Sequence, residues 1–104
     1  MKRLQGNVTI ITGGGKGIGY GLAQAFAEEG SNLVITGRTE SRLVSAKERL
    51  EKEYGIEVLP IVADGADEEA IKNVVARTIE KFGKINTLVN NAQVSKSGLP
   101  LAEH

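Results

Sequence analysis

The 104 residues contain no cysteine and no tryptophan. Without thiols the chain can form neither a disulfide framework nor a thiolate metal site, and a reducing compartment suits it. Two tyrosines and two phenylalanines are the whole aromatic content, so the interior must be aliphatic. Neither sign of charge prevails, since thirteen Lys and Arg balance thirteen Asp and Glu. Such a chain carries no electrostatic footprint for nucleic acid or for an acidic membrane surface. No apolar run approaches the length of a membrane span. The opening Met1-Lys2-Arg3-Leu4-Gln5-Gly6 has no apolar stretch of signal-peptide length. A cytoplasmic protein is therefore expected. The single histidine, His104, is the last residue, a place for an exposed side chain rather than a catalytic one. Repeats, low-complexity tracts and linkers are also missing, and the length suits one small domain.

What the chain does have is a steady alternation of two patterns. Short β-branched apolar runs predict strands at Asn7–Thr12, Asn32–Thr36, Ile56–Ala63 and Ile85–Asn90. Helical spacing predicts helices over Gly17 to about Glu29, over Glu40–Tyr54, and from an Asp67 cap to Gly83. The first helix is expected to bury Ile18, Leu22 and Phe26, which lie four apart. The second is expected to bury Leu43, Ala46, Leu50 and Tyr54. The third carries Ile71, Val74, Val75, Thr78, Ile79 and Phe82 as a stripe. Strand-helix-strand repetition implies an α/β fold with right-handed crossovers. Pro60 cannot donate a ladder hydrogen bond, which sends the third strand to an edge. The expected fold is a three-layer, doubly wound, Rossmann-type parallel sheet of order 3-2-1-4, with the third helix alone on one face.

Between the first strand and the first helix lies Thr12-Gly13-Gly14-Gly15-Lys16-Gly17-Ile18-Gly19. Free N–H groups and the dipole at a helix start favour an anion, and glycine lets a ligand approach the backbone closely. The spacing is not Gly-x-Gly-x-x-Gly, because the sixth position from Gly13 is Ile18 and from Gly17 is Leu22. It is not a Walker A loop, because Lys16 is followed by Gly17. It is Thr-Gly-x-x-x-Gly-x-Gly. That spacing, at that position, resembles the nucleotide loop of the short-chain dehydrogenase/reductase family. Leu88-Val89-Asn90-Asn91-Ala92 resembles the family's Asn-Asn-Ala-Gly signature, with Gln93 in place of the glycine. Asn86 stands where an Asp is common. The resemblance covers nearly the whole chain.

The resemblance implies a dinucleotide cofactor. Gly13, Gly15, Gly17 and Gly19, with Ile18 among them, would hold the pyrophosphate. Asp64, after the third strand, would meet the adenine, and Asn90 and Ala92 the ribose edge. At the end of the second strand an acid would favour NAD and a base NADP. Gly37-Arg38-Thr39 supplies a base there and no acid before Glu40. Arg38, flanked by Thr39, and Lys16 would together take a 2′-phosphate, so NADP is expected over NAD. Each residue also has a plainer role: Arg38 and Lys16 as solvated surface, Asp64 as a turn residue before Gly65, and Asn90 and Asn91 as partners for backbone at a strand end.

The family's hydride chemistry uses a Ser, and a Tyr with a Lys four residues later. Here Tyr20 is followed by Gln24 and Tyr54 by Val58. No catalytic residue and no metal ligand is assigned. The chain is expected to be one incomplete domain over residues 1–104, truncated after strand four, with an irregular tail from Gln93 to His104. It resembles the NADP(H)-binding half of an oxidoreductase acting on a carbonyl or alcohol, similar to the 3-oxoacyl reductases. The rival is a non-catalytic nucleotide-binding or assembly module. Partners are the dinucleotide and, only with a C-terminal half, a small carbonyl or alcohol substrate; nucleic acid and membrane are not expected. An open edge at Leu88-Val89 and an apolar patch on the third helix's face would drive homo-oligomer formation.

Overall fold

The β-branched runs pair side by side, all in one direction. In the computed structural model, which describes residues 3–13, 17–63 and 67–90, the strands are β1 (Val8–Thr12), β2 (Asn32–Gly37), β3 (Val58–Val62) and β4 (Thr87–Asn90). They form one parallel sheet in the order β3-β2-β1-β4. Thr9 sits beside Leu33 and Thr87, and Leu33 beside Val58. The helices are α1 (Gly17–Glu28), α2 (Glu40–Tyr54) and α3 (Glu68–Phe82). Pro60 lies in the edge strand, as its missing N–H requires.

Layers cover both faces of the sheet, so β1 is buried at every residue and shows no polar alternation. Ile11, Leu33, Ile35 and Val58 face α1 and α2, where they meet Ala23, Ala27, Leu43 and Leu50. Val8, Ile10, Val34 and Ile61 face α3 and meet Val74. The polar Thr9 is tolerated inside because its hydroxyl lies 2.8 Å from that of Ser31, which also reaches the Asn32 carbonyl at 2.8 Å.

The α1 face differs from the sequence expectation, whereas the α3 face shows the apolar exposure that one helix on that side implies. The buried residues of α1 are Gly19, Ala23 and Ala27, not Ile18, Leu22 and Phe26. Small side chains let the helix axis approach the sheet, which turns the larger ones to the flanks. Leu22 and Phe26 pack there half-buried, and Ile18 is 77% exposed. On α3 only Val74 and Thr78 are buried, and Ile79 of the expected stripe is 46% exposed. Leu88, beside Ile10 on the same side of the sheet, is 50% exposed. One helix is too narrow to cover four strands. The α2 face has Leu43, Ala46 and Leu50 buried as expected, with Tyr54 only half-buried at its end.

Asn86 accepts the Val8 N–H on its Oδ1 at 2.8 Å and donates its own N–H to the Val8 carbonyl at 2.9 Å. The task needs only an acceptor oxygen, so an amide serves it as an Asp would. The tail from Gln93 to His104 lies outside the described residues. Among the described residues no helix is long and apolar enough to cross a membrane.

Candidate functional site

Parallel strands place all their C-terminal ends on one rim. Thr12 is level with Thr36 on one side and Asn90 on the other, and Gly37 is level with Val62. The segments leaving these strands therefore gather at the same end of the sheet. Gly13, Gly17, Arg38, Thr39 and Asn90 all belong to this rim. Ile18 and Gly19 follow in the first turn of α1, and the other four candidates, Gly15, Lys16, Asp64 and Ala92, lie outside the described residues.

The β1–α1 junction is where the backbone is most specialised. Gly13 has φ 73° and donates its N–H to the Thr36 carbonyl at 2.8 Å, which locks the chain as it leaves the sheet. Gly17 has φ 59°, and among the described residues nothing lies within 4 Å of where a Cβ would stand. Any other residue in this left-handed conformation would be strained by roughly 1–2 kcal/mol. The space beside Gly17 is thus open to a ligand as far as the backbone itself. The first N–H groups of α1 have no acceptor inside the helix, and its first turn carries no acidic residue. Gly19 is buried against the sheet, while Ile18 stands in solvent on the open side.

The far wall is tied to the same junction. The Thr12 hydroxyl lies 3.0 Å from Asn90 Oδ1 and 3.3 Å from the Val89 carbonyl. Asn90 is therefore held beside the start of the glycine loop although it is exposed. This contact joins the two most informative motifs of the sequence across 78 residues. At the end of β2, Arg38 and Thr39 are both exposed. Thr39 occupies the N-cap position of α2 with extended backbone, but its side chain makes no capping bond. Gly37 is packed closely, since a Cβ there would meet Leu43 Cδ2 at 3.3 Å.

Beside Gly17 a cleft opens between α1 and α2, lined in part by Tyr20, Arg42 and Arg49. The sequence reading did not single these out. Their signal was helical spacing: positions 42, 45 and 49 fall on one face of α2. Tyr54 does not fit the role of a proton donor poised near neutrality. Burial pushes the Tyr54 phenol up, with the Glu53 and Glu28 carboxylates in the same direction and a hydrogen bond from Gln24 opposing. Tyr54 keeps its proton, packed half-buried against the α1–α2 core.

The short chain dehydrogenase family matches residues 7–103. The chain is 53% identical to a 12alpha-hydroxysteroid dehydrogenase of Clostridium sp. over 108 residues, covering 98% of this chain and 42% of the relative. It is 45% identical to an uncharacterized oxidoreductase of Thermotoga maritima, covering 88% of this chain and 35% of that one. Among solved structures it superposes on the L-sorbose reductase of Gluconobacter frateurii, in complex with NADPH and L-sorbose, with TM-score 0.84 at 33% identity. That match covers 96% of this chain and 40% of the reductase. It superposes on an NAD+-bound xylitol dehydrogenase with TM-score 0.82 at 34% identity, covering 88% of this chain and 35% of that one. The chain thus spans about two fifths of the length of the relatives it matches.

Proposed function

Because the chain belongs to the short-chain dehydrogenase/reductase family, we propose that it forms the NADP(H)-binding portion of an oxidoreductase acting on a carbonyl or alcohol. The observation that carries this reading is the Thr12–Asn90 contact, which brings the glycine loop and the asparagine motif to one rim of the sheet. The donor set fits a dinucleotide. Gly17 leaves room for a pyrophosphate against the backbone, and the first turn of α1 offers N–H groups and carries no acid itself. When bound, such a cofactor supplies hydride transfer.

In this reading Gly13, Gly15, Gly17 and Gly19 line the pyrophosphate, with Ile18 as an apolar wall. Asp64 meets the adenine, and Asn90 and Ala92 border the nicotinamide-side ribose. Lys16 and Arg38, with Thr39, take a 2′-phosphate. The NADPH complex of the sorbose reductase and the NADP-related ligand of the alcohol dehydrogenase from Thermococcus sibiricus support the phosphate form. The NAD+-bound xylitol dehydrogenase is the counterexample, so the preference rests on Arg38. Titration of the chain with NADPH and NADH, followed by nicotinamide fluorescence, tests it. NADPH is expected to bind about tenfold or more tightly, and Arg38→Ala to remove the difference. Equal affinity for the two would refute the NADP assignment.

A second reading is favoured by one feature of these residues: no tyrosine here is followed four positions on by a lysine. Residues 1–104 are therefore expected to bind the dinucleotide without turning over substrate, as a nucleotide-binding or assembly module would. Steady-state assays with NADPH and simple ketones separate the two readings.

A further inference from the structure

The sheet has two edges, and the chain treats them differently. At the β3 edge Glu51 accepts the Val58 N–H at 2.9 Å, and Pro60, two residues on, has no N–H to offer. Lys81 adds an ion pair at 3.5 Å to Glu57, just before that strand. Capping, proline and charge are devices that stop an edge from recruiting another strand. At the other edge β4 pairs with β1 on one side, and among the described residues no strand lies on its other side. Its residues Thr87, Leu88, Val89 and Asn90 include no charge and no proline.

The surface next to this open edge is apolar. Leu88 stands on the α3 side of β4, beside Ile10, and is half exposed. Val74 and Thr78 mark the side of α3 that faces the sheet. Lys81 reaches Glu57, which places its flank of the helix on the β3 side. Ile71, Val75 and Ile79, four apart, fall on the opposite flank, toward β4. Ile79 is exposed, and Ile71 and Val75 are half-buried. Leu88 and this stripe therefore make one patch beside an open strand edge.

A second copy of this chain fits the patch by symmetry and by charge. A crossover helix runs opposite to its strands, and α3 carries Glu68 and Glu69 in its first turn and Lys81 in its last. Two β4 strands joined antiparallel about a twofold axis set the acidic end of each α3 toward the basic end of the other. The Leu88 side chains then meet beside the axis, between the two Ile79 stripes. β4 is only four residues long, so its ladder alone is weak and the apolar contact must supply the rest. The chain has no net charge to oppose association.

We propose that this chain dimerises through antiparallel pairing of β4 with the β4 of a second copy, seating Leu88, Val75 and Ile79 of each copy against those of the other. Two four-stranded sheets thereby become one continuous sheet. The proposal does not rest on the cofactor reading, in which these three residues have no part.

Sedimentation velocity of the chain at increasing concentration tests this. Monomer mass is expected at about 1 μM and dimer mass at about 1 mM. Leu88→Lys puts a charge beside the axis and is expected to weaken the dimer about tenfold or more. Leu88 is half exposed, so circular dichroism should stay unchanged. Ile79→Glu, on the exposed flank of α3, is a second variant expected to act the same way. The chain has no cysteine, so an introduced thiol reports proximity without background. Leu88→Cys is expected to give a disulfide-linked dimer under mild oxidation. Val62→Cys, similarly exposed but on β3, is expected to stay monomeric. A monomer at every concentration would leave the edge to another occupant, such as a strand of a longer polypeptide, and overturns the proposal. So does a dimer that survives both Leu88→Lys and Ile79→Glu, crosslinking at Val62 as fast as at Leu88, or open-ended aggregation in place of a dimer.

Discussion

The two faces of the sheet are not equals. The α1–α2 face is closed: Ile11, Leu33, Ile35, Leu43 and Leu50 are fully buried, and Ala46 nearly so. The α3 face has one helix, with Val74 as its fully buried apolar side chain, and it leaves Leu88 and Ile79 half in water. The candidate site lies where the closed face meets the rim. Gly17 and Gly19 start a helix that packs on the sheet through Gly19, Ala23 and Ala27, and at Gly37 an added Cβ would already crowd Leu43 of the other helix. A phosphate-binding loop needs backbone groups held in place before the ligand arrives, and close helix packing provides that. The open face carries none of the described candidates except the edge residue Asn90.

The same substitution on both faces gives the largest contrast. Leu50→Ala removes a side chain with no exposed surface and is expected to cost about 3 kcal/mol. Leu88→Ala removes one already 50% exposed and is expected to cost about 1 kcal/mol or less. Urea unfolding at neutral pH reads both, and equal losses would break the distinction between the faces. Helix caps offer a smaller contrast in the opposite direction. The Asp67 side chain accepts the Glu69 N–H at 3.0 Å at the start of α3, whereas Thr39 makes no such bond at the start of α2. Asp67→Ala is expected to lower stability by about 1 kcal/mol and Thr39→Ala to leave it within a few tenths. The weakly packed helix thus depends on its cap, while the well-packed one does without.

Local chemistry made most of this legible in advance. β-branched runs, terminal glycines and Pro60 led to the elements and to the 3-2-1-4 order, because strand burial and the missing proline N–H act within a few residues. The glycine loop and the asparagine motif were readable for the same reason, although their meeting through Thr12 was not. The misses were questions of distance between elements. Spacing alone favours the large apolar residues of α1 as its buried face, and only the sheet's proximity selects Gly19, Ala23 and Ala27 instead. Arg42 and Arg49 were not singled out by the sequence, because they line one cleft only once α1 is placed opposite them.

The smallest effect concerns how the closed face is fastened at its edge. Glu51, on α2, accepts the Val58 N–H of β3 at 2.9 Å and the Lys47 ammonium at 2.7 Å. Burial would raise its carboxyl, but the Lys47 charge and the two hydrogen bonds outweigh that and hold it below the ordinary value. The folded state therefore binds the proton less readily than the unfolded chain does. The stabilisation is fully present above the unfolded carboxylate range and is lost as pH falls through it to the lower folded value. Because the pair is about one third exposed, solvent screens it, and Glu51→Gln is expected to cost roughly 0.5–1 kcal/mol at neutral pH. The amide can still accept from Val58, so the loss should be chiefly that of the charge. Wild type and variant should then converge in stability when urea unfolding is repeated under acidic conditions. A constant difference down to the lowest pH would mean that Glu51 fastens α2 to β3 through its shape and its neutral hydrogen bond alone.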